Sequence, residues 1–457
     1  MLKKRLSRRA FLGSSTAVGG AAILAACGGA QTGAMPAEEM PAKQEEEAKA
    51  EMAPKEEPVQ LIYLSRDSAS TTEKVRAYFD TYEAETPNVT IELQNLASVG
   101  EAETKLKVAA AAGVPIDFLR CSWGSYLDLA EAEVLSPLDD FFKRDGLVPT
   151  EIFTPATLTQ WLDKGTLWGM PGSGNCDALL MNKQLLDTAG LDAPSADPAD
   201  ASWTMDKFLE YGKAMTQGDQ QFGHTGGVSA FNVSGIATGT YFGEFCWNVE
   251  EERGNMDHPV FIEALQYWRD LRDKHQVVPN ADQSAALRGE QHIWQTGKVG
   301  FHITNGYKPA VEFEVIGAAL PYTGEAPNKS GRAWYPAILM GVGEKVDHAW
   351  NVLKWMMSGE NSVGYTLAVN HTISPVAAVS TLPAERLKAE TGYDSVAHAN
   401  QSAYSGPAGW GLLRYTTWGE WRTEIKPVYD EFNAGNMTAE EYGRAATDLL
   451  NAIIIQE

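Results

Sequence analysis

Cys27 carries the clearest chemistry in the sequence. It closes Leu24-Ala25-Ala26-Cys27, behind a short apolar stretch from Ala17 to Ala26 and a basic segment with Lys3, Lys4, Arg5, Arg8 and Arg9. A basic segment and a short apolar run form a secretory leader, and the four residues at its end resemble a lipobox, in which the cysteine is acylated and becomes the new N-terminus. Ser7-Arg8-Arg9-Ala10-Phe11-Leu12 resembles the twin-arginine export motif, which makes Arg8 and Arg9 the export signal. Catalytic signatures are missing. The sequence has no Gly-x-Ser-x-Gly elbow, no Gly-x-x-x-x-Gly-Lys-[Ser/Thr] loop and no His-Glu-x-x-His pair. Gly172-Ser173-Gly174-Asn175-Cys176-Asp177 starts like a dinucleotide-binding turn but has Asp where the third glycine belongs. Histidines 224, 258, 275, 292, 302, 348 and 398 are scattered, and only His371 falls in a plausible loop between domains. No metal site and no cofactor is expected. Cys121, Cys176 and Cys246 are an odd set without close spacing, which leaves their pairing open.

These residues sit in a chain of 457, which predicts two or three domains. Sixty acidic against 37 basic side chains give a formal net charge of −23, which excludes nucleic acid as a partner. Residues 1–26 read as a signal peptide, and removing their five basic residues takes the charge from −23 to −28. Residues 27–57 read as a lipidated linker. They are Gly, Ala and Pro with clustered glutamates and almost nothing apolar to bury. Beyond them no segment approaches 18 unbroken apolar residues, so no spanning helix is expected.

The folded part starts near Pro58. Val59 to Leu64 is a short apolar run that predicts a buried strand. Val75, Tyr78, Phe79 and Tyr82 then recur at helical spacing between Thr72 and Glu85. Val89 to Leu93 alternates as a second strand, 104–112 is helical, and Ile116 to Leu119 is a third strand. The order β-α-β-α-β predicts an α/β fold with a largely parallel sheet. In such sheets ligands bind beyond the carboxyl ends of the strands, here the loops 65–70 and 120–126.

Several patches stand in an order similar to that of the family 1 extracellular solute-binding proteins of ATP-driven sugar importers. They are TKLKVAAAAGVPIDF (104–118), LDLAEAEVLSPLD (127–139), GTLWGMPGSGNCDALLMNKQLLDTAGL (165–191), Pro194 with SWTMDKF (202–208), WQTGKVGF (294–301), and residues 333–358 with the C-terminal helix. Met181 departs from the family's usual Tyr, and 217–249 has no counterpart. The resemblance implies a two-lobed periplasmic-binding-protein fold of the class II type, each lobe a mixed, mostly parallel sheet flanked by helices. Lobe one would comprise 58–172 and 340–378, and lobe two 173–339 and 379–457. The chain would be a monomer whose partners are a small carbohydrate, the permease subunits of an ABC transporter and the membrane, reached through the lipid on Cys27.

A sugar presents C–H faces and a rim of hydroxyls, which match flat aromatic rings and fixed polar groups. The aromatic candidates are Trp123, Tyr126, Trp247, Tyr307, Trp334, Tyr335 and Trp418, and the polar candidates are Arg66, Asp67, Asn175, Asp177, Asn305, Arg332 and His371. Tyr126 also reads as the start of a helix that packs inward. Trp203, Trp268, Trp350 and Trp355 lie on helical patterns and read as core. Two rivals stay open: a tethered glycoside hydrolase, because paired carboxylates are invisible in so acidic a chain, and a binding protein for a non-sugar solute.

Overall fold

Val59–Ser65 buries Leu61, Tyr63, Leu64 and Ser65 and forms the first strand, as its apolar run requires. In the computed structural model, residues 57–97, 99–114, 116–121, 126–225, 247–248, 251, 253–288, 292–306, 311–324, 326–331, 333–405 and 418–453 are described. The first strand pairs parallel with Val89–Asn95 along its whole length and with Phe118–Cys121 on its other side. The helix between the first two strands, Ala69–Glu85, begins three residues before the expected Thr72. Ser68 caps it, its Oγ accepting from the Thr71 N–H at 3.2 Å. Val75, Tyr78, Phe79 and Tyr82 form its buried face. The third strand starts two residues late, because Asp117 is occupied in accepting the Ile62 N–H at 2.7 Å.

The chain then leaves this layer and returns to it twice. Ala337–Met340 pairs antiparallel with Phe118–Cys121, and Gly169–Pro171 pairs antiparallel with Ala337–Met340. The first sheet therefore has five strands, with Val89–Asn95 at one edge and Gly169–Pro171 at the other. Ala337, Ile338 and Leu339 belong to it, although the sequence reading ended the second lobe's first part at 339. The helices Val346–Met356 and Gly359–Ala368 complete a core that includes Phe79, Phe118, Trp161, Trp350 and Tyr365.

The second sheet has the order Val315–Ala318, Ala178–Asn182, Val299–Thr304, Phe222–His224. Its central strand Ala178–Asn182 is buried at all five positions, as a continuous apolar run demands. That strand runs antiparallel to both neighbours, and only Val299–Thr304 and Phe222–His224 are parallel. Both sheets are thus mixed, and the parallel character expected holds for the opening three strands. In the first sheet the one strand that runs against its neighbours is Ala337–Met340, which follows the chain's excursion through the second sheet.

The helix Pro259–Asp273 joins two cores. Trp268 and Leu271 pack under the second sheet. Phe261 and Leu265 pack against the C-terminal helices Trp418–Ala434 and Ala439–Ile453, with Phe432 and Tyr442. Trp203, Trp268 and Trp350 are buried, and Trp355 lies half-buried between Tyr78 and Tyr82.

Candidate functional site

Two segments connect the two sheets, 172–177 and 319–336, and a third, 369–376, leads from the helix Gly359–Ala368 to the later helices; all three are stitched to one another. The Gly172 N–H donates to the Pro336 carbonyl at 2.9 Å. Gly174 and Ile373 exchange both backbone bonds at 2.8 and 2.9 Å, and Asn175 pairs with Trp334 across a short antiparallel ladder. Gly174 must be glycine here: an added Cβ would lie 2.2 Å from the Tyr335 ring. The segments are one close-packed ribbon rather than three independent tethers.

Side chains from this ribbon meet the carboxyl ends of the first-sheet strands. Asp67 follows the first strand and pairs with Arg120 of the third; the two side chains are 5% and 12% exposed. Arg120 also donates to the Tyr365 hydroxyl, which lies 2.6 Å from that of Tyr63. Burial is the main cause that pushes the Tyr365 hydroxyl up to about 12. His371, in the third segment, shares a hydrogen bond with Ser173 at 2.8 Å. Burial first, and the Arg120 charge second, hold its imidazole well below the usual range and therefore neutral. The half-buried Trp334 ring stands 5.4 Å from the His371 ring. Asn175 is fully buried. Its Oδ1 accepts from the Thr372 N–H at 3.1 Å and hydroxyl at 3.2 Å, while its Nδ2 has no partner among the described residues.

The second lobe adds Asp177 and Asn305. Asp177 is buried and lies near His302 and His398. Burial pushes both imidazoles down to about 4, against the opposing pull of Asp177. His302 is held by Thr225 at 3.1 Å and stacks on Trp294. Asn305 follows Val299–Thr304 and is half-buried. Next to it Gly306 has φ +94°, with Thr372 Oγ1 3.0 Å from where a Cβ would stand.

The ribbon thus gathers Asp67, Asn175, Trp334 and His371, with Asp177 and Asn305 on the second-lobe side. Arg66 is exposed beyond the first strand. Two expectations fail. Tyr126 packs on Trp161 in the first core, 5% exposed, because it opens the helix Tyr126–Glu131 on its inner face. Tyr335 is 1% exposed against Gly174, because neighbours in an extended segment face opposite ways and Trp334 takes the open side. Trp123, Tyr307 and Arg332 lie outside the described residues. Trp247 stands in the strand Trp247–Asn248 and Trp418 opens a helix, but their side chains also lie outside what is described. Sequence reasoning missed Arg120. Its signal was a lone charge inside the apolar strand Phe118–Cys121, which burial obliges to find a partner. Cys121 and Cys176 are buried and form no disulfide among the described residues, and Cys246 lies outside them.

Among the described residues no three His, Cys, Asp or Glu side chains are placed to hold a metal, and no helix is long and apolar enough to cross a membrane. In the site Asp67 compensates Arg120, the imidazoles of His371, His302 and His398 are held neutral, and Asp177 adds a buried carboxyl.

Solved structures share the fold. One is a cyclic alpha-maltosyl-1,6-maltose binding protein from Arthrobacter globiformis, with TM-score 0.68 at 18% identity, covering 87% of this chain and 99% of that one. Another is an ABC substrate-binding protein from Listeria monocytogenes in complex with cycloalternan, with TM-score 0.65 at 16% identity, covering 87% and 99%. By sequence, a binding protein of Brucella abortus (strain 2308) is 22% identical over 321 residues, 65% of this chain and 72% of that protein. A maltotriose-binding protein of Pyrococcus abyssi is 24% identical over 267 residues, 56% of this chain and 53% of that protein. The two-lobed fold is shared with these proteins, and residues 68–379 match the bacterial extracellular solute-binding protein model: this chain belongs to that family.

Proposed function

We propose that the protein captures a carbohydrate between its lobes and delivers it to the permease of an ABC transporter. One observation carries the reading. At the crossing ribbon a half-buried Trp334 ring stands beside the buried Asp67–Arg120 pair, His371 and Asn175, whose Nδ2 has no partner among the described residues. A ring for C–H faces next to unmet hydrogen-bond capacity is what a sugar requires. The sugars named for the structural and sequence relatives support the same class. Ligand that touches both lobes only when they close shifts the balance toward the closed form.

In this reading Cys27 carries the lipid anchor, residues 28–57 hold the module off the membrane, Arg8 and Arg9 direct export, and the chain acts as a monomer outside the cytoplasm. The protein binds without chemistry. The test is incubation with a panel of oligosaccharides, following melting temperature and sugar products together. A melting shift with intact sugar is expected. Release of shorter sugars would identify a glycoside hydrolase instead, and no shift with any sugar would exclude the carbohydrate.

A further inference from the structure

Asn305-Gly306 is the only Asn–Gly step in the 457 residues. The strand Val299–Thr304 ends just before it, and the register that sets Thr304 opposite Ala178 brings Asn305 alongside Asp177. Asn305 is half-buried, and its side-chain amide makes no hydrogen bond among the described residues. The Gly306 N–H makes none among them either. An amide carbon and a backbone nitrogen, both unengaged and on adjacent residues, are the two partners of a ring closure. Glycine places no Cβ in the path of that approach. Gly306 also lines a cavity of about 960 Å³, which has ample room for water.

The other side of Gly306 is closed. Its carbonyl accepts from the Tyr393 hydroxyl at 3.2 Å. With φ +94°, it has Thr372 Oγ1 and the His398 ring 3.0 and 3.3 Å from where a Cβ would stand. This corner seats the end of a second-sheet strand against the third segment and against the helix Val396–Ser402, which carries His398.

We propose that Asn305 is a site of self-modification, a spontaneous deamidation that ages the candidate site. The Gly306 nitrogen attacks Asn305 Cγ and forms a C–N bond. The side-chain nitrogen leaves as ammonia, taking up the Gly306 amide proton, and a five-membered succinimide remains. Water then adds to either ring carbonyl, breaks one C–N bond and gives aspartate or isoaspartate. Both products disturb the site. The amide's two donors give way to a carboxylate beside the buried Asp177, where a second like charge is unfavourable. Isoaspartate also lengthens the main chain by one carbon. That displaces Gly306 from a seat with no spare room on the Thr372 and His398 side.

The test is peptide mass spectrometry of the detergent-solubilised full chain, held at pH 8 and 37 °C for weeks beside a guanidinium-denatured sample. Isoaspartate is counted with an isoaspartyl methyltransferase. Asn305 is expected to convert in the native chain ahead of every other asparagine. The aged chain should then melt about 1–4 °C below the fresh one. Aged Asn305→Gln, whose amide would need a less favourable six-membered ring, should melt as it does when fresh. Asn305→Ser, which has no amide, serves if the first variant misfolds. Conversion in the denatured sample but not in the native one would overturn the proposal, because the fold would then protect the step. An equal melting shift in an aged variant, or none in a converted chain, would overturn the disturbance at Gly306. No sugar enters the test, so its outcome is independent of the carbohydrate reading.

Discussion

Trp334→Ala and Tyr335→Ala are expected to separate cleanly, because the two rings leave the same ribbon on opposite faces. Tyr335 is fully buried, and truncating a buried aromatic costs about 3–5 kcal/mol of stability. Trp334 is half-buried, so its loss should change the unliganded melting temperature little and weaken sugar binding by about 1–3 kcal/mol. Melting curves with and without ligand check both. At the same scale, burial pushes the imidazoles of the buried His224 and His398 down to about 3 and 4, and that of the half-buried His302 down to about 4. The unfolded chain titrates near 6.5 and so binds protons that the folded chain refuses. The histidines' contribution is complete above about pH 6.5 and is lost as pH falls toward 4, at up to about 1.4 kcal/mol per pH unit for each. Chemical denaturation at pH 7 and pH 5 should show the loss, and His398→Gln should reduce it; an unchanged slope would contradict the assignment. That Asn175, Trp334 and His371 lie on the connecting segments was legible in the sequence, because they interrupt the regular patterns on either side. The gathering of His302 and His398 around Asp177 was not, since residues more than a hundred positions apart meet only through the sheet.

The elements themselves were largely legible, because their apolar periodicity and their breakers agree. Ser68 moved one helix start and Asp117 one strand start, both through side-chain bonds to backbone that periodicity does not encode. The mixed direction of the second sheet was hidden for another reason. Strand order depends on how often the chain crosses the hinge, and crossings are long-range events. Those crossings make Gly174 the element-scale test. Gly174→Ala would place a methyl 2.2 Å from a buried Tyr335 ring that has little room to move. Overpacking of this kind costs about 1–3 kcal/mol. The variant should lose stability and, by distorting the ribbon, also lose affinity. Wild-type melting and affinity in Gly174→Ala would show that the ribbon is looser than its hydrogen bonds imply.

On the scale of the whole molecule, the proposal is a sugar-capturing module carried on a lipid-anchored tether. Cys27→Ala should leave the folded module intact and release it from the membrane fraction, and retention in the detergent-extracted membrane pellet would contradict a lipid on Cys27. The trap itself is the central claim. Small-angle X-ray scattering of the full chain, with and without a saturating oligosaccharide from the melting panel, tests it most directly. The account predicts a smaller radius of gyration with sugar bound, because a ligand held by both sides of the crossing ribbon favours closure. An unchanged radius at saturation, or no oligosaccharide that binds, would contradict it.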